Sequence, residues 1–313
     1  MATAEELTEK YAAVSAGKVA FDCPEGGPSV RVTLQAGTGD DISTAALYLF
    51  GAHMTSWFCG RQRLWMSSLS KMDGSAPIRG GVPIAFPQFA TQGPLPLHGF
   101  AREQLWQVTA VTVDETFTEI TLQVQEDEKT LKLWDHKYTL QYKVRLLATQ
   151  ILLSLTVVNT AEEAWSFTGC LHTYFLLLDS AAVQLVGLKG TTFTDKVDDM
   201  KEKTEADDAI EVAKASADSN GFVDRIYKNS PKTLYLKEGS SVYQIEQSAS
   251  FPDTVVFNPW EEGKKGDKHP DFDDDGYMYL LCVEPAIAAE PLTLKPGETF
   301  TGEQRITMLP IET

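Results

Sequence analysis

The chain has few cysteines, only Cys23, Cys59, Cys170 and Cys282 among 313 residues. They lie far apart with no C-x-x-C pair, so neither a zinc knuckle nor a disulfide scaffold is suggested. No apolar run approaches the length of a membrane span, and no membrane partner is expected. Positive charge is scarce: 27 Lys and Arg face 44 Asp and Glu, a formal net charge of −17. Such a surface repels nucleic acid and anionic lipid, which excludes nucleic acid as an expected partner. The first residues, Met1 to Tyr11, are acidic where a targeting peptide would be basic, and they lack an apolar h-region. A reduced, cytoplasmic protein is expected.

Familiar catalytic signatures are missing as well. There is no G-x-S-x-G elbow, no G-x-G-x-x-G after a strand, no G-x-x-x-x-G-K-[ST], and no H-E-x-x-H among the five histidines. Asp271, Asp273, Asp275 and Gly276 match the opening of an EF-hand loop, but the twelfth position falls on Cys282 and a strand pattern follows. A solvated acidic turn is the expectation there.

Against this background one segment stands out. Pro77 to Pro87, then Pro96 to Arg102, set Arg79, His98 and Arg102 among glycines, prolines and aromatics. Gly admits φ > 0 and close approach, Pro removes a donor and fixes φ, so a rigid loop is expected rather than a helix or central strand. A single arginine is usually an ordinary surface cation. Two on one rigid loop, in an acidic chain, form a wall suited to a phosphate or carboxylate.

Elsewhere period two dominates. Ile120, Leu122 and Val124, then Tyr138 to Leu146 at every second position, then Leu153, Leu155 and Val157 alternate with polar residues, the pattern of half-buried antiparallel strands. Further strands are expected at Ala46 to Phe50, Leu105 to Val113, Leu234 to Lys237, Ser241 to Gln247, Thr254 to Phe257, Met278 to Glu284 and Phe300 to Leu309. So many short strands predict an all-β sandwich or barrel. Helical patterns are few: Glu5 to Ala13, and weakly Ala206 to Ala217 within a charged stretch, Asp195 to Asp218, that reads as a solvated loop. Neither linker nor repeat is found, and residues 1–313 are expected to form one domain.

Two of the strands carry ionisable groups in apolar surroundings. His172 lies inside Trp165 to Phe175, with Cys170 on the same face; a lone strand histidine is usually a satisfied core residue. Glu284 ends a strand that is apolar on both faces, costing several kcal/mol unless it is paired, protonated or functional. Cys170 and Cys282 each precede these residues by two positions, and packing is their only expected role. A histidine that titrates near neutrality and a carboxylate of raised pKa together suit proton transfer on and off oxygen atoms.

The blocks Arg79-Gly-Gly-Val-Pro, Phe86-Pro, His98-Gly-Phe-Ala-Arg102, Leu171-His172-Thr-Tyr-Phe, Thr194-Asp195, Asp224-Arg-Ile-Tyr, Val256-Phe-Asn-Pro-Trp260 and Val283-Glu284 resemble, in this order, the glucose-6-phosphate 1-epimerases (hexose-6-phosphate mutarotases) of the aldose 1-epimerase superfamily. The resemblance runs from about Ser29 to Leu309. It implies a large antiparallel β-sandwich of the galactose-mutarotase type, a supersandwich, with few short helices. It implies an isomerase that opens and recloses the sugar ring, with Glu284 as the base at O1 and His172 as the acid at the ring oxygen. Arg79 and Arg102 would hold the phosphate of a small-molecule sugar phosphate, Asp224 sugar hydroxyls, and His98 would orient the ring. No cofactor or metal is implied, because proton transfer is the whole chemistry. A monomer is expected. The position before His98, often Gln in that family, is Leu97 here, which puts substrate preference in question. Trp260 is expected in the core rather than on a sugar face. Two other readings stay open: an epimerase of unphosphorylated hexoses, and a carbohydrate-binding or regulatory protein without turnover.

Overall fold

A computed structural model describes residues 2–218, 222–261 and 270–310; His269 lies outside them. Among the described residues three sheets make up the strand content, and every strand pair within them is antiparallel. The nine-stranded sheet runs in the order Ala209–Glu211, Gln184–Val186, Thr233–Glu238, Ser241–Gln247, Thr299–Leu309, Gln150–Asn159, Tyr138–Leu147, Phe117–Gln125, Gln107–Val113. The eight-stranded sheet runs Lys201–Thr204, Thr192–Asp195, Val223–Tyr227, Asp253–Asn258, Leu280–Leu294, Trp165–Leu171, Ile84–Ala85, with Tyr174–Leu176 also paired to Leu280–Leu294. A five-stranded sheet from Val19–Asp22 to Arg61–Gln62 completes the set.

Alternation decides which face each strand buries. In Tyr138–Leu147 every second side chain is buried, from Tyr138 through Leu146, and the register sets Tyr142 beside Leu155 of the next strand. The eight-stranded sheet lies across the core. Gln304 of the nine-stranded sheet donates to the Val283 carbonyl at 3.1 Å and accepts from the Thr173 hydroxyl at 2.6 Å, tying the two sheets together. Val283 therefore faces the main core, while Cys282 and Glu284, one position either side, face the opposite way. That second face is covered by the loop carrying Arg79 and Arg102, and Leu280–Leu294 is buried on both faces from Leu280 to Ala288.

Two glycines shape the covering loop. A Cβ on Gly81 (φ +62) would stand 2.0 Å from the Met54 carbonyl oxygen, and one on Gly99 (φ +70) 2.2 Å from that of Phe86; both need a left-handed backbone and bare space. Helices are short. Ala4–Ser15 starts at a capping box in which the Thr3 hydroxyl and the Glu6 carboxylate each take the other residue's N–H, and it buries Leu7 and Tyr11. Glu128–Leu133, capped by Asp127, has no counterpart in the sequence expectations.

The expectation for Asp195 to Asp218 needs correcting. Lys201–Thr204 and Ala209–Glu211 are strands and Val212–Asp218 is helical, so the helix covers only the end of the expected Ala206 to Ala217. Buried Ile210 and Val212 anchor the segment, and Lys203 bonds Asp195 and Asp198 across the hairpin. Trp260 packs against the main core, as expected. No helix of the described residues is long and apolar enough to cross a membrane.

Candidate active site

The register of three strands builds the site. Glu284 pairs in register with Val255, Cys170 with Ala286, and Tyr174 with Cys282, so Cys170, His172 and Tyr174 lie along one face above Glu284 and Cys282. Glu284 is 1% exposed and His172 7%. His172 Nδ1 stands 3.1 Å from Glu284 Oε1, yet Nδ1 meets no hydrogen-bond geometry, so the two are in contact without being aligned. The Cys170 thiol donates to Glu284 Oε2 at 3.1 Å. Burial pushes the Glu284 carboxyl up to about 8, with Asp224 adding to the rise and the thiol and Lys196 opposing it. Burial first, then the positive surroundings including Arg79, Arg102 and Lys196, holds His172 well below its ordinary value. At neutral pH the pair holds one proton, and it resides on the carboxyl.

The two arginines differ. Arg79 Nε and Nη2 donate to the two oxygens of Asp271 at 2.8 and 3.3 Å, Nη1 donates to the Tyr174 hydroxyl at 3.0 Å, and the guanidinium lies over the Phe272 ring. The Tyr174 ring stacks on His172, centroids 4.5 Å apart and nearly parallel. Arg102 is buried, donates one Nη2 hydrogen to the Leu97 carbonyl at 2.6 Å, and leaves Nε–H without a partner. Among the described residues it forms no ion pair. Its charge depresses His98 and His172, and the nearby Arg79 charge, after burial, lowers Arg102 in turn.

His98 Nδ1 accepts the Ala90 N–H at 3.2 Å, so in the neutral ring the hydrogen sits on Nε2. Burial, then Arg102, Arg79 and Lys196, keep that ring neutral. Asp224 accepts from Lys196 Nζ at 2.6 Å; burial raises its carboxyl and the lysine opposes the rise. These groups converge on a cavity of about 120 Å³ lined by Arg79, His98, His172, Tyr174, Lys196, Asp224 and Glu284, with Leu97 at its edge. A larger hollow of about 440 Å³ beside the N-terminal helix has Glu6 and Lys10 as its only ionisable lining, and Glu6 is taken up by the helix cap.

Of the six site residues singled out in the sequence, Arg79, His98, His172, Asp224 and Glu284 line one cavity; Arg102 is not among its lining residues and instead bonds the carbonyl of Leu97, which is one of them. Three participants were missed. Tyr174 shares the face of His172 by period two, Lys196 follows Asp195, and Asp271 belongs to the acidic turn. That turn is not simply solvated: Asp271 binds Arg79, and Asp273 accepts from the Ser68 N–H and hydroxyl.

Ligand atoms of His172, Cys282 and Glu284 lie within 4.8 Å of one another, the one such group found among the described residues. A metal needs the thiolate, and burial holds the Cys282 thiol well above its usual value. The group fits a proton-transfer site better than a metal site.

Residues 31–307 match the family profile Aldose 1-epimerase. A protein of Cenchrus ciliaris, provisionally named glucose-6-phosphate 1-epimerase, is 34% identical over 85% of this chain and 82% of its own length. A protein of Salmonella typhimurium with the same provisional name is 32% identical over 79% and 81%. Among solved structures, YeaD of Salmonella typhimurium, provisionally titled a mutarotase, superposes with a TM-score of 0.82 at 25% identity, covering 97% of this chain and 99% of its own.

Proposed function

The chain belongs to the aldose 1-epimerase family, and from that premise we propose that it interconverts the α and β anomers of glucose 6-phosphate and related hexose 6-phosphates, with Glu284 and His172 sharing the transferable proton. The observation that carries the phosphate is Arg102, a buried guanidinium with no ion pair among the described residues and an Nε–H without a partner among them. A buried cation of this kind is costly unless an anion arrives to meet it.

In this reading, the proton crosses the 3.1 Å contact from Glu284 to His172 when substrate binds. The phosphate charge offsets the arginines that depress His172 and so favours the imidazolium. The Glu284 carboxylate then takes the proton from the O1 hydroxyl as His172 gives one to the ring oxygen. The C1–O5 bond breaks to leave the aldehyde, the C1–C2 bond rotates, and ring closure runs the transfers in reverse. His98 Nε2–H orients the ring, and Asp224, held by Lys196, accepts from sugar hydroxyls. Arg102 takes the phosphate directly, while Arg79, already bridged to Asp271 and Tyr174, contributes its charge from the pocket wall.

The same reading treats residues 1–313 as one domain, acting as a monomer in the cytoplasm, where its four free cysteines stay reduced. Exchange NMR on equilibrated glucose 6-phosphate, with glucose and galactose in parallel, tests it. Faster anomer exchange of the phosphosugar alone is expected. Equal acceleration of glucose would remove the phosphate role from Arg102, and no acceleration of any sugar would overturn the reaction.

A further inference from the structure

Glu284 is flanked by two buried thiols, and only one of them bonds to it. Cys170, fully buried on the neighbouring strand, places Sγ 3.1 Å from Oε2. Cys282, equally buried on the strand of Glu284 itself, makes no hydrogen bond to the carboxyl. A thiol has one hydrogen to give, and burial next to a carboxyl keeps it on sulfur. The bond therefore runs from sulfur to oxygen, and Oε2 is the acceptor.

We infer that Cys170 is a positioning residue for the acid/base pair: by occupying Oε2 it directs the proton of Glu284 onto Oε1, the oxygen 3.1 Å from His172 Nδ1. A carboxyl offers its proton from either oxygen, and only Oε1 makes the contact with His172. Without the thiol the carboxyl is free to turn or to hold its proton on the wrong side. The other groups facing Glu284 do not settle this choice. His172 is the recipient, Asp224 on Val223–Tyr227 and Lys196 just after Thr192–Asp195 act through charge, Val255 is apolar, and Cys282 forms no hydrogen bond to the carboxyl among the described residues.

The inference rests on the proposed proton transfer, and it has a readout independent of activity. Difference infrared spectroscopy of the Glu284 carboxyl follows its titration in wild type, Cys170→Ala and Cys170→Ser, with Cys282→Ala as the comparison thiol. Loss of the donor removes a contact that favours the carboxylate, so in Cys170→Ala the titration moves above about 8, the wild-type position. With a hexose 6-phosphate as substrate, kcat falls roughly tenfold while KM stays within about twofold, the split expected when a hydrogen bond orients a reacting group. Serine, which keeps a donor at the same place, returns both titration and kcat toward wild type, and Cys282→Ala shifts neither. If Cys170→Ala fails to fold, Cys170→Val, which also lacks a donor, takes its place and is read in the same way. A Glu284 titration as far displaced in Cys170→Ser as in Cys170→Ala, or unmoved in Cys170→Ala, overturns the inference. An inactive wild type would sink the proposed reaction and leave the infrared result standing.

Discussion

The nine-stranded and eight-stranded sheets share antiparallel pairing but treat charge in opposite ways. In the first, Tyr138–Leu147 buries one face and leaves the other half exposed, and Glu119 on the adjacent strand, though itself buried, meets the part-exposed guanidinium of Arg145 at 2.7 Å. In the second, Leu280 to Ala288 is buried on both faces, and Glu284 has a neutral imidazole and a thiol where Glu119 has an arginine. Two carboxylates on strands thus meet different fates. The first carboxyl is supplied with an arginine, whereas the second, sealed with an imidazole and a thiol, has its ionisation held back and becomes a group able to trade a proton near neutral pH.

Exchanging each carboxylate for its amide should break the symmetry most sharply. Glu284→Gln is expected to lower anomer exchange of glucose 6-phosphate by roughly a thousandfold, the scale of a lost general acid/base; Glu119→Gln should leave the rate unchanged and cost about 1–3 kcal/mol of stability, because it weakens a charged hydrogen bond at a buried position. The same Glu284 variant should be more stable than wild type. The folded carboxyl titrates at about 8 against 4.5 in its ordinary state, so folding favours the protonated form. That contribution is complete below the ordinary carboxylate range and fades as pH rises through 8. Glutamine behaves as a carboxyl that never ionises, and denaturant titration at pH 7 should show a gain of up to about 3 kcal/mol that vanishes in acid.

Next in size is the anion wall. Arg102→Met should raise KM for glucose 6-phosphate by roughly tenfold to a hundredfold, the worth of a charge-assisted hydrogen bond, with slow turnover of free glucose, if measurable, unaffected. The pH profile is gentler. With one proton required on the pair, kcat/KM should hold level and then fall about tenfold per unit above pH about 8, as Glu284 deprotonates in the free enzyme. Smallest is a change in the nine-stranded sheet, where the fully buried Tyr142 hydroxyl has no partner. Tyr142→Phe should stabilise the fold by about 1 kcal/mol in a denaturant titration, because an unsatisfied donor is removed without changing shape.

How much could be read from the sequence follows the same division. Strands with one wet face announce themselves by alternation, and Tyr138–Leu147 matches its expected span closely. Leu280–Leu294 was expected only to Glu284: its doubly buried part reads as an apolar run, and neither that run nor Pro285 after it marks how far the strand continues. Lys201–Thr204 was missed outright: it is polar throughout and is held by pairing with Thr192–Asp195 and by the lysine bridges to Asp195 and Asp198. In the site, residue type was enough to single out Arg79, His98, Arg102, His172, Asp224 and Glu284. Partnership was not. That Asp271 occupies the fork of Arg79 depends on a contact across 192 positions of chain, and that Cys170 rather than Cys282 bonds Glu284 depends on register, which neighbouring residues alone do not determine.

The protonation of Glu284 is read most directly by difference infrared spectroscopy of the wild-type protein across pH, with Glu284→Gln supplying the assignment. A buried carboxyl band that persists through neutrality and gives way to carboxylate near pH 8 is the expected result. Carboxylate already complete in the ordinary acidic range would contradict it, and with it the idea that sealing both faces of the sheet makes this carboxyl a proton donor.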